Sequence, residues 1–337
     1  MIGDALSVAY GAIATWRRRW YAAPGRARRL ARPVISIGNL RVGGSGKTPV
    51  VAAIARMLIA QGERPVVLSR GYARRKVTPG VTVVSDRERV LVDVEHAGDE
   101  PLLLARTLPG VPVLVCAERF AAGTLAESRF DPTVHLLDDG FQHVRLARDI
   151  DLLLADESDL DDRVLPAGRL REPLANAAVA HAVIVPGGSA DTAHKVGERL
   201  GVRQSFRTTR VLGAPHGVGR GAVALASAAP VFAVAAVAKP ERFFADLRSD
   251  GFNVVGTKAF RDHHWFSVAE LAGLADAARR AGASAIVTTE KDAVRLEPLD
   301  LSAFPFLAVP LETTIEPTAV FDEWLRTRLA ASRAAVH

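Results

Sequence analysis

The chain of 337 residues has a single cysteine, Cys116, inside the apolar run Pro112–Cys116. A disulfide within the chain is therefore impossible, and a zinc site built on cysteines lacks ligands. A cytosolic compartment fits this usage. The N-terminal segment has no apolar run long enough to span a bilayer. Its longest uncharged stretch is Ala5–Trp16, against the roughly 20 residues a spanning helix needs. A secretory leader places its positive charges before its apolar run; here they follow it. Acids are missing from residues 17–32, which carry Arg17, Arg18, Arg19, Arg26, Arg28, Arg29 and Arg32. The N-K-x-D motif with which G-proteins read guanine is absent too. There is no internal repeat and no low-complexity tract.

What is present reads as a globular protein, with 49% hydrophobic and 24% charged residues. The length suits two domains with a core each. A net charge of +6 makes an anionic partner reasonable, and the uneven placement of that charge says more than its total. Ile2, Leu6, Ala9, Ile13, Trp16 and Trp20 recur at helical spacing and form one apolar stripe. Asp4, Ser7, Gly11, Thr15 and Arg18 fall on the opposite face. An apolar stripe, tryptophans and then an arginine cluster suit a helix lying in the headgroup layer of an anionic membrane. The same pattern also suits a helix packed on the protein's own core with a solvated basic tail. A nucleic-acid-binding arm is a lesser alternative.

Beyond the arm, short apolar β-branched runs alternate with helical stretches. Val34–Ile37, Val66–Ser69, Val113–Cys116, Val134–Leu137, Asp151–Leu154 and Val183–Val185 read as buried strands. Helices are expected at Thr48–Gln61, Glu100–Thr107 and Glu118–Ser128. This alternation predicts an α/β fold with a doubly wound, mostly parallel sheet. Residues 186–230, rich in Gly, Ala and Ser, read as a connector. A second, smaller α/β set follows, with strands at Val231–Val237, Val254–Phe260, Ala285–Thr289 and Phe306–Val309. Its helices are expected at Glu241–Arg248, Val268–Ala281 and Thr318–Ala331. The expected organisation is an arm (1–32), a larger domain (33–210) and a smaller one (211–337).

Between the first strand and its helix lies Gly38-Asn39-Leu40-Arg41-Val42-Gly43-Gly44-Ser45-Gly46-Lys47-Thr48. Glycines at 43, 44 and 46 let backbone N–H groups crowd round phosphate oxygens, and a helix N-terminus adds its positive end. Lys47 is placed to reach the β- and γ-phosphates, and Thr48 to hold Mg²⁺. The usual first glycine of a P-loop is replaced by Arg41; the nearest substitute is Gly38. His135-Leu136-Leu137-Asp138-Asp139-Gly140 reads as a strand ending in acid, where P-loop enzymes coordinate Mg²⁺. Either Asp138 or Asp139 can serve, and the second acid can bind another ion or orient Gln142 and His143. D-D-G is also ordinary turn chemistry.

Phosphoryl transfer to an alcohol needs a group that takes its proton. Gly98-Asp99-Glu100-Pro101 and Asp262-His263-His264 are the two candidates. Asp99 and Glu100 could equally be first-turn acids of a helix, and the histidines surface residues. If Asp99 and His263 meet across a domain cleft, the imidazole would orient and polarise the carboxylate.

Seven blocks in order carry a resemblance: SIGNLRVGGSGKTP (36–49), LSRGYARR (68–75), AGDEP (97–101), LLDDGFQH (136–143), LPAGRLREP (165–173), FRDHHWF (260–266) and TTEKDAVRL (288–296). The chain resembles the tetraacyldisaccharide 4'-kinases of lipid A synthesis in Gram-negative bacteria. That family's P-loop also lacks the first glycine. The resemblance implies ATP and Mg²⁺ as cofactors and a lipid-linked disaccharide 1-phosphate as acceptor. It implies work at the cytoplasmic face of the inner membrane, with no nucleic acid and no obligate protein partner. It implies Asp99 as base, His263 as its partner, and Glu100, Asp138, Asp139 and Thr48 as metal positions. Arg70, Gly71, Tyr72, Arg119, Gln142, His143, Arg171 and Glu172 match positions near substrate or phosphate. Departures are Arg169 where the family usually has proline, alanines in Ala235–Pro240 where it often has glycines, and Ala180-His181-Ala182 where an aspartate usually precedes the strand. The rival readings are a P-loop kinase for another membrane-borne sugar or alcohol, a P-loop ATPase or GTPase switch, a docking module without chemistry, and a kinase for a soluble acceptor.

Overall fold

The structure is a computed structural model, which describes residues 2–44, 46–219 and 228–334. Helix α1 (Ile2–Ala22) is followed by β1 (Val34–Asn39), α2 (Lys47–Ala60), β2 (Pro65–Ser69), β3 (Thr82–Ser85), α3 (Val94–Ala97) and α4 (Asp99–Thr107). Then come β4 (Val113–Val115), α5 (Arg119–Phe130), β5 (Val134–Asp138), β6 (Ile150–Leu154), β7 (Ala182–Pro186), α6 (Ala190–Leu200) and β8 (Ser205–Leu212). The second set is β9 (His216–Gly217), β10 (Pro230–Ala235), α7 (Pro240–Ser249), β11 (Asn253–Ala259), α8 (Val268–Arg280), β12 (Ala285–Thr289), α9 (Glu290–Leu296) and β13 (Phe306–Val309). The chain closes with β14 (Leu311–Glu316) and α10 (Thr318–Ala334).

Among the described residues, one sheet has the order β14-β8-β7-β6-β1-β5-β2-β4-β3 and the other β11-β10-β12-β13-β9. The large sheet is parallel except at its two edges, where β14 and β3 run antiparallel to their neighbours. Its central strands, such as β1 and β5, are buried throughout their length. Helices cover both faces of a parallel sheet, so its strands read as unbroken apolar runs. The first expectation, a doubly wound α/β fold with a smaller second sheet, is what the structure has.

Two sequence expectations differ. Residues 186–230 are not a plain connector, since they hold α6 and β8. Ser189 caps α6 by accepting from the Thr192 N–H, and Ala193, Val196, Gly197 and Leu200 form its buried face. Half of that face is Ala or Gly, so the helical period was masked by small residues. The expected boundary at 210/211 also does not match the partition of strands. β14 pairs with β8, and Phe321, Leu325 and Leu329 of α10 join the core of the large sheet. β14 and α10 thus return to the first lobe after the second sheet is built.

Candidate active site

The carboxyl ends of β1 and β5 lie side by side, with Ile37 paired to Asp138. A cleft of about 730 Å³ opens at these ends, between the two sheets. Ligands of open α/β sheets bind at this position, outside the carboxyl ends of the strands. β1 delivers Asn39, the glycine loop follows, and α2 starts at Lys47. Gly43 (φ 98°) and Gly46 (φ 78°) adopt left-handed backbone that favours glycine. Gly43, Gly44, Gly46, Lys47 and Thr48 all line the cleft, while Ser45 lies outside the described residues. A Cβ at Gly44 would sit 2.8 Å from the Cβ of Ala238 in the second lobe, so the loop and that lobe are in close contact.

The two departures in the loop resolve separately. Arg41 is buried and ion-paired to Asp156 (3.2 Å) and Asp159 (3.0 Å), so it anchors the loop. Gly38 is no substitute for the missing loop glycine, because it lies inside β1. A Cβ there would come within 2.5 Å of the Phe141 Cβ, which makes its smallness a packing requirement.

Lys47 Nζ donates to Asn39 Oδ1 (3.2 Å) and pairs with Asp139 (3.4 Å). Arg171 donates to both carboxylate oxygens of Asp139 (3.0 and 2.9 Å) and to Asn39. Burial opposes ionisation of Asp139, but the hydrogen bonds from Arg171 and the charge of Lys47 outweigh it. They hold the carboxyl well below the usual range. Asp138 is the opposite case. Burial, then the negative charges of Glu100 and Asp139, push it up to about 7. Ser69 donates to its Oδ2 at 3.3 Å, while its buried Oδ1 has no hydrogen-bond partner. An orphaned buried carboxylate oxygen beside a phosphate loop fits a cation. Thr48, Glu100, Asp138 and Asp139 all line the cleft. Among the described residues, no group of three acidic, His or Cys side chains could hold a metal unaided.

Asp99 is the first residue of α4, behind the N-cap Gly98. His263 reaches it from the loop after β11, with Nδ1 at 3.0 and 3.2 Å from the carboxylate oxygens. The structure thus brings these two candidates together from 164 positions apart in the chain. His263 has φ 61°, uncommon for a residue with a side chain. Burial, then the charge of Lys291, lowers its pKa, favouring the neutral imidazole. His264 turns away, bonding Glu270 at 3.0 Å and stacking on Phe260. Asp99 itself is buried, only 2% exposed, whereas His263 lines the cleft. Arg295 forms an ion pair with Asp99, and Lys291 approaches Asp99 (3.7 Å), Glu100 (3.3 Å) and Asp262 (3.1 Å).

The residues predicted near substrate divide into two groups. Arg70, Tyr72 and Arg171 line the cleft, and Tyr72 meets the His263 ring edge-on at 5.4 Å. Gly71 (φ 69°) has no room for a side chain, with Val115 2.2 Å from a would-be Cβ. Arg119, Gln142, His143 and Glu172 do not line the cleft. Gln142 donates to the Asn39 carbonyl (2.9 Å) and to Glu172 (2.8 Å). Arg119 is buried and donates to the Ala117 carbonyl at 3.0 Å. His143 lies 3.8 Å from Glu118, and burial, then Arg119, lowers its pKa to about 3, so it is neutral.

The profile of the tetraacyldisaccharide-1-P 4'-kinases matches residues 2–330. The chain belongs to this kinase family. It is 41% identical to the tetraacyldisaccharide 4'-kinase of Geobacter metallireducens, over 92% of this chain and 96% of that protein. It is 40% identical to that of Pelobacter propionicus, over 90% and 85% of the two lengths. Among solved structures, LpxK from Aquifex aeolicus in complex with ATP superposes with a TM-score of 0.77 at 31% identity. That match covers 98% of this chain and 100% of the other.

Within this 4'-kinase family chain, α1 sits the opposite way round from a core-packed amphipathic helix. Leu6, Ile13, Trp16 and Trp20 are 45–63% exposed, while the polar face meets the protein; the Ile2 side chain lies outside the described residues. Asp4 pairs with Arg163 (2.8 Å), Ser7 accepts from the Ala167 N–H (3.0 Å), Thr15 bonds Asn176 (3.2 Å) and Arg18 pairs with Glu172 (2.7 Å). The alternative in which the stripe packs on the core is thereby overturned. Among the described residues, no helix is long and apolar enough to cross a membrane. The sequence alone gives no role to Asn39, Lys291 or Arg295, and places Arg18 only in the basic cluster and on the polar face of the helix. The first three lie inside quoted motifs, and Lys291 and Arg295 share a helix face at i, i+4.

Proposed function

We propose that the protein transfers the γ-phosphate of ATP to the 4'-hydroxyl of a tetraacyldisaccharide 1-phosphate at a membrane surface. The observation that carries the reading is the cleft itself. The phosphate loop lines one wall, and a carboxylate–imidazole pair shared by the two lobes, Asp99–His263, meets it. A switch ATPase has no need of the second feature.

Lys47 and the loop N–H groups bind and orient the nucleotide phosphates. Mg²⁺, for which Thr48, Asp138, Asp139 and Glu100 are the candidate ligands, supplies neutralisation of phosphate charge. Asp99 and His263 act as one proton-accepting unit toward the acceptor hydroxyl. Asp99 is the base of this unit, and His263, which stands at the cleft, orients and polarises it. Arg70 and Arg171 add positive charge near the transferring group, where positioning and electrostatics supply most of the rate. Contact between Gly44 and Ala238 supports closure of the second lobe over the loop, which limits water and wasteful hydrolysis. The outward apolar stripe of α1 and its arginines support a seat in the headgroup layer, at the cytoplasmic face of the inner membrane. There the acceptor keeps its acyl chains in lipid. The folding units are proposed as the arm and two lobes, with β14 and α10 belonging to the larger.

The test is transfer of label from γ-labelled ATP, with Mg²⁺, to tetraacyldisaccharide 1-phosphate in detergent micelles. A labelled lipid that vanishes in Lys47→Ala supports the reading. Steady ATP hydrolysis with no labelled lipid refutes it.

A further inference from the structure

The helix that presents its apolar stripe outward is tied to the rest of the protein by its other face. Arg18 donates through Nε and Nη2 to the two oxygens of Glu172 (2.8 and 2.7 Å) and through Nη2 to the Phe141 carbonyl (2.9 Å). Its guanidinium also lies over the Phe141 ring, 4.2 Å from the centroid. The side chains of Arg18 and Glu172 are 8% and 3% exposed. From Glu172 the bonds continue. Gln142 Nε2 donates to Glu172 Oε1 (2.8 Å) and to the Asn39 carbonyl (2.9 Å), and Asn39 Oδ1 accepts from Lys47 Nζ (3.2 Å). Arg171, next to Glu172, bonds the same Asn39 and Asp139. Three side chains thus separate α1 from the lysine of the phosphate loop.

We infer that Arg18 is a positioning residue for the phosphate loop, acting through Glu172, Gln142 and Asn39 on Lys47. A bidentate arginine–carboxylate pair fixes direction as well as charge. Removing one partner of a buried pair leaves the other charged and unpaired, a large perturbation. Glu172 is also tied to Asn176 (3.0 Å), which bonds Thr15 of α1. Without Arg18 its carboxylate would draw further on Gln142 and so on the carbonyl of Asn39. The outward-facing helix and the nucleotide site therefore share one hydrogen-bonded frame. A helix that only anchors the protein has no reason to send its one buried cation into that frame.

The inference rests on the reading of this cleft as an ATP-dependent kinase site, and its test separates the two. The full-length protein and its Arg18→Gln and Arg18→Lys variants are compared in three ways. These are ATP-analogue affinity without lipid, kcat for lipid phosphorylation in micelles, and flotation with anionic vesicles. Arg18→Gln is expected to weaken analogue binding about tenfold and lower kcat roughly ten- to a hundredfold, with flotation unchanged. Arg18→Lys, which keeps the charge and loses the fork, is expected between it and wild type. Unchanged affinity and kcat in folded variants would overturn the inference and leave Arg18 as a seat for α1 alone. If Arg18→Gln does not fold, Arg18→Lys decides by the same criteria. If the wild type phosphorylates no lipid, the affinity measurement still decides.

Discussion

Asp138→Asn is expected to stabilise the metal-free protein while destroying its activity. Burial and the charges of Glu100 and Asp139 push Asp138 up to about 7 from an ordinary value of 3.8. Its folded pKa thus lies above its unfolded one. Ionisation then favours the unfolded state; the penalty is absent below about pH 4, grows as the pH rises to about 7, and is full above that. A shift of about 3 units at 1.4 kcal/mol each is on the order of 4 kcal/mol. Asparagine has nearly the same shape, can keep the contact with Ser69 and carries no charge to desolvate. In a chain of this size that gain is roughly 5–10 °C in Tm. The assay is thermal unfolding with chelator at about pH 8 and about pH 5. The gain should shrink to less than half at the lower pH, where folded Asp138 is already neutral. An equal gain at both pH values, or none at pH 8, would refute the reasoning. Stability surrendered at a functional site in this way is the usual trade.

Three further outcomes are expected. Asp99→Ala and His263→Ala should each lower kcat about 10²–10⁴-fold with ATP-analogue affinity nearly unchanged, and the double variant should be little worse than either; additive losses in a transfer assay would break the pairing. Trp16→Asp and Ile13→Asp, on exposed positions of α1, should leave Tm within about 1 °C and reduce flotation about tenfold or more, because each anchored apolar side chain contributes about 1.5–3 kcal/mol. Gly44→Ala should reduce kcat/KM for ATP, since its Cβ would stand 2.8 Å from that of Ala238; full activity would mean the lobes need not approach this closely.

Legibility followed the range of the interactions. The phosphate loop could be read because one contiguous segment both forms it and does its chemistry. The acidic end of β5 was legible as a partner for it, but the opposite states of Asp138 and Asp139 were not. Those depend on Arg171 and Lys47 converging on one carboxylate and on Glu100 facing the other. The Asp99–His263 meeting could be stated only as a condition, because the two lie in different lobes. Arg295, which completes that cluster, carries no local signal beyond its helical step from Lys291. The orientation of α1 was the least legible feature. An amphipathic pattern shows that a helix has two faces and does not say which one meets the protein. Here Arg163, Glu172 and Asn176, far along the chain, satisfy the polar face and leave the apolar one outward. The helix α6 has a weak signal because half of its buried face, Ala193 and Gly197, is small and close in composition to a linker.

This cleft is proposed to couple the phosphate loop to an acceptor hydroxyl through Asp99 and His263. The most direct test is the ratio of ADP released to phospholipid formed, measured in mixed micelles with tetraacyldisaccharide 1-phosphate, for the wild type and Asp99→Ala. One phosphorylated lipid per ADP is expected in the wild type, and loss of both products in Asp99→Ala. ADP released without phospholipid, or a turnover indifferent to Asp99, would contradict that coupling.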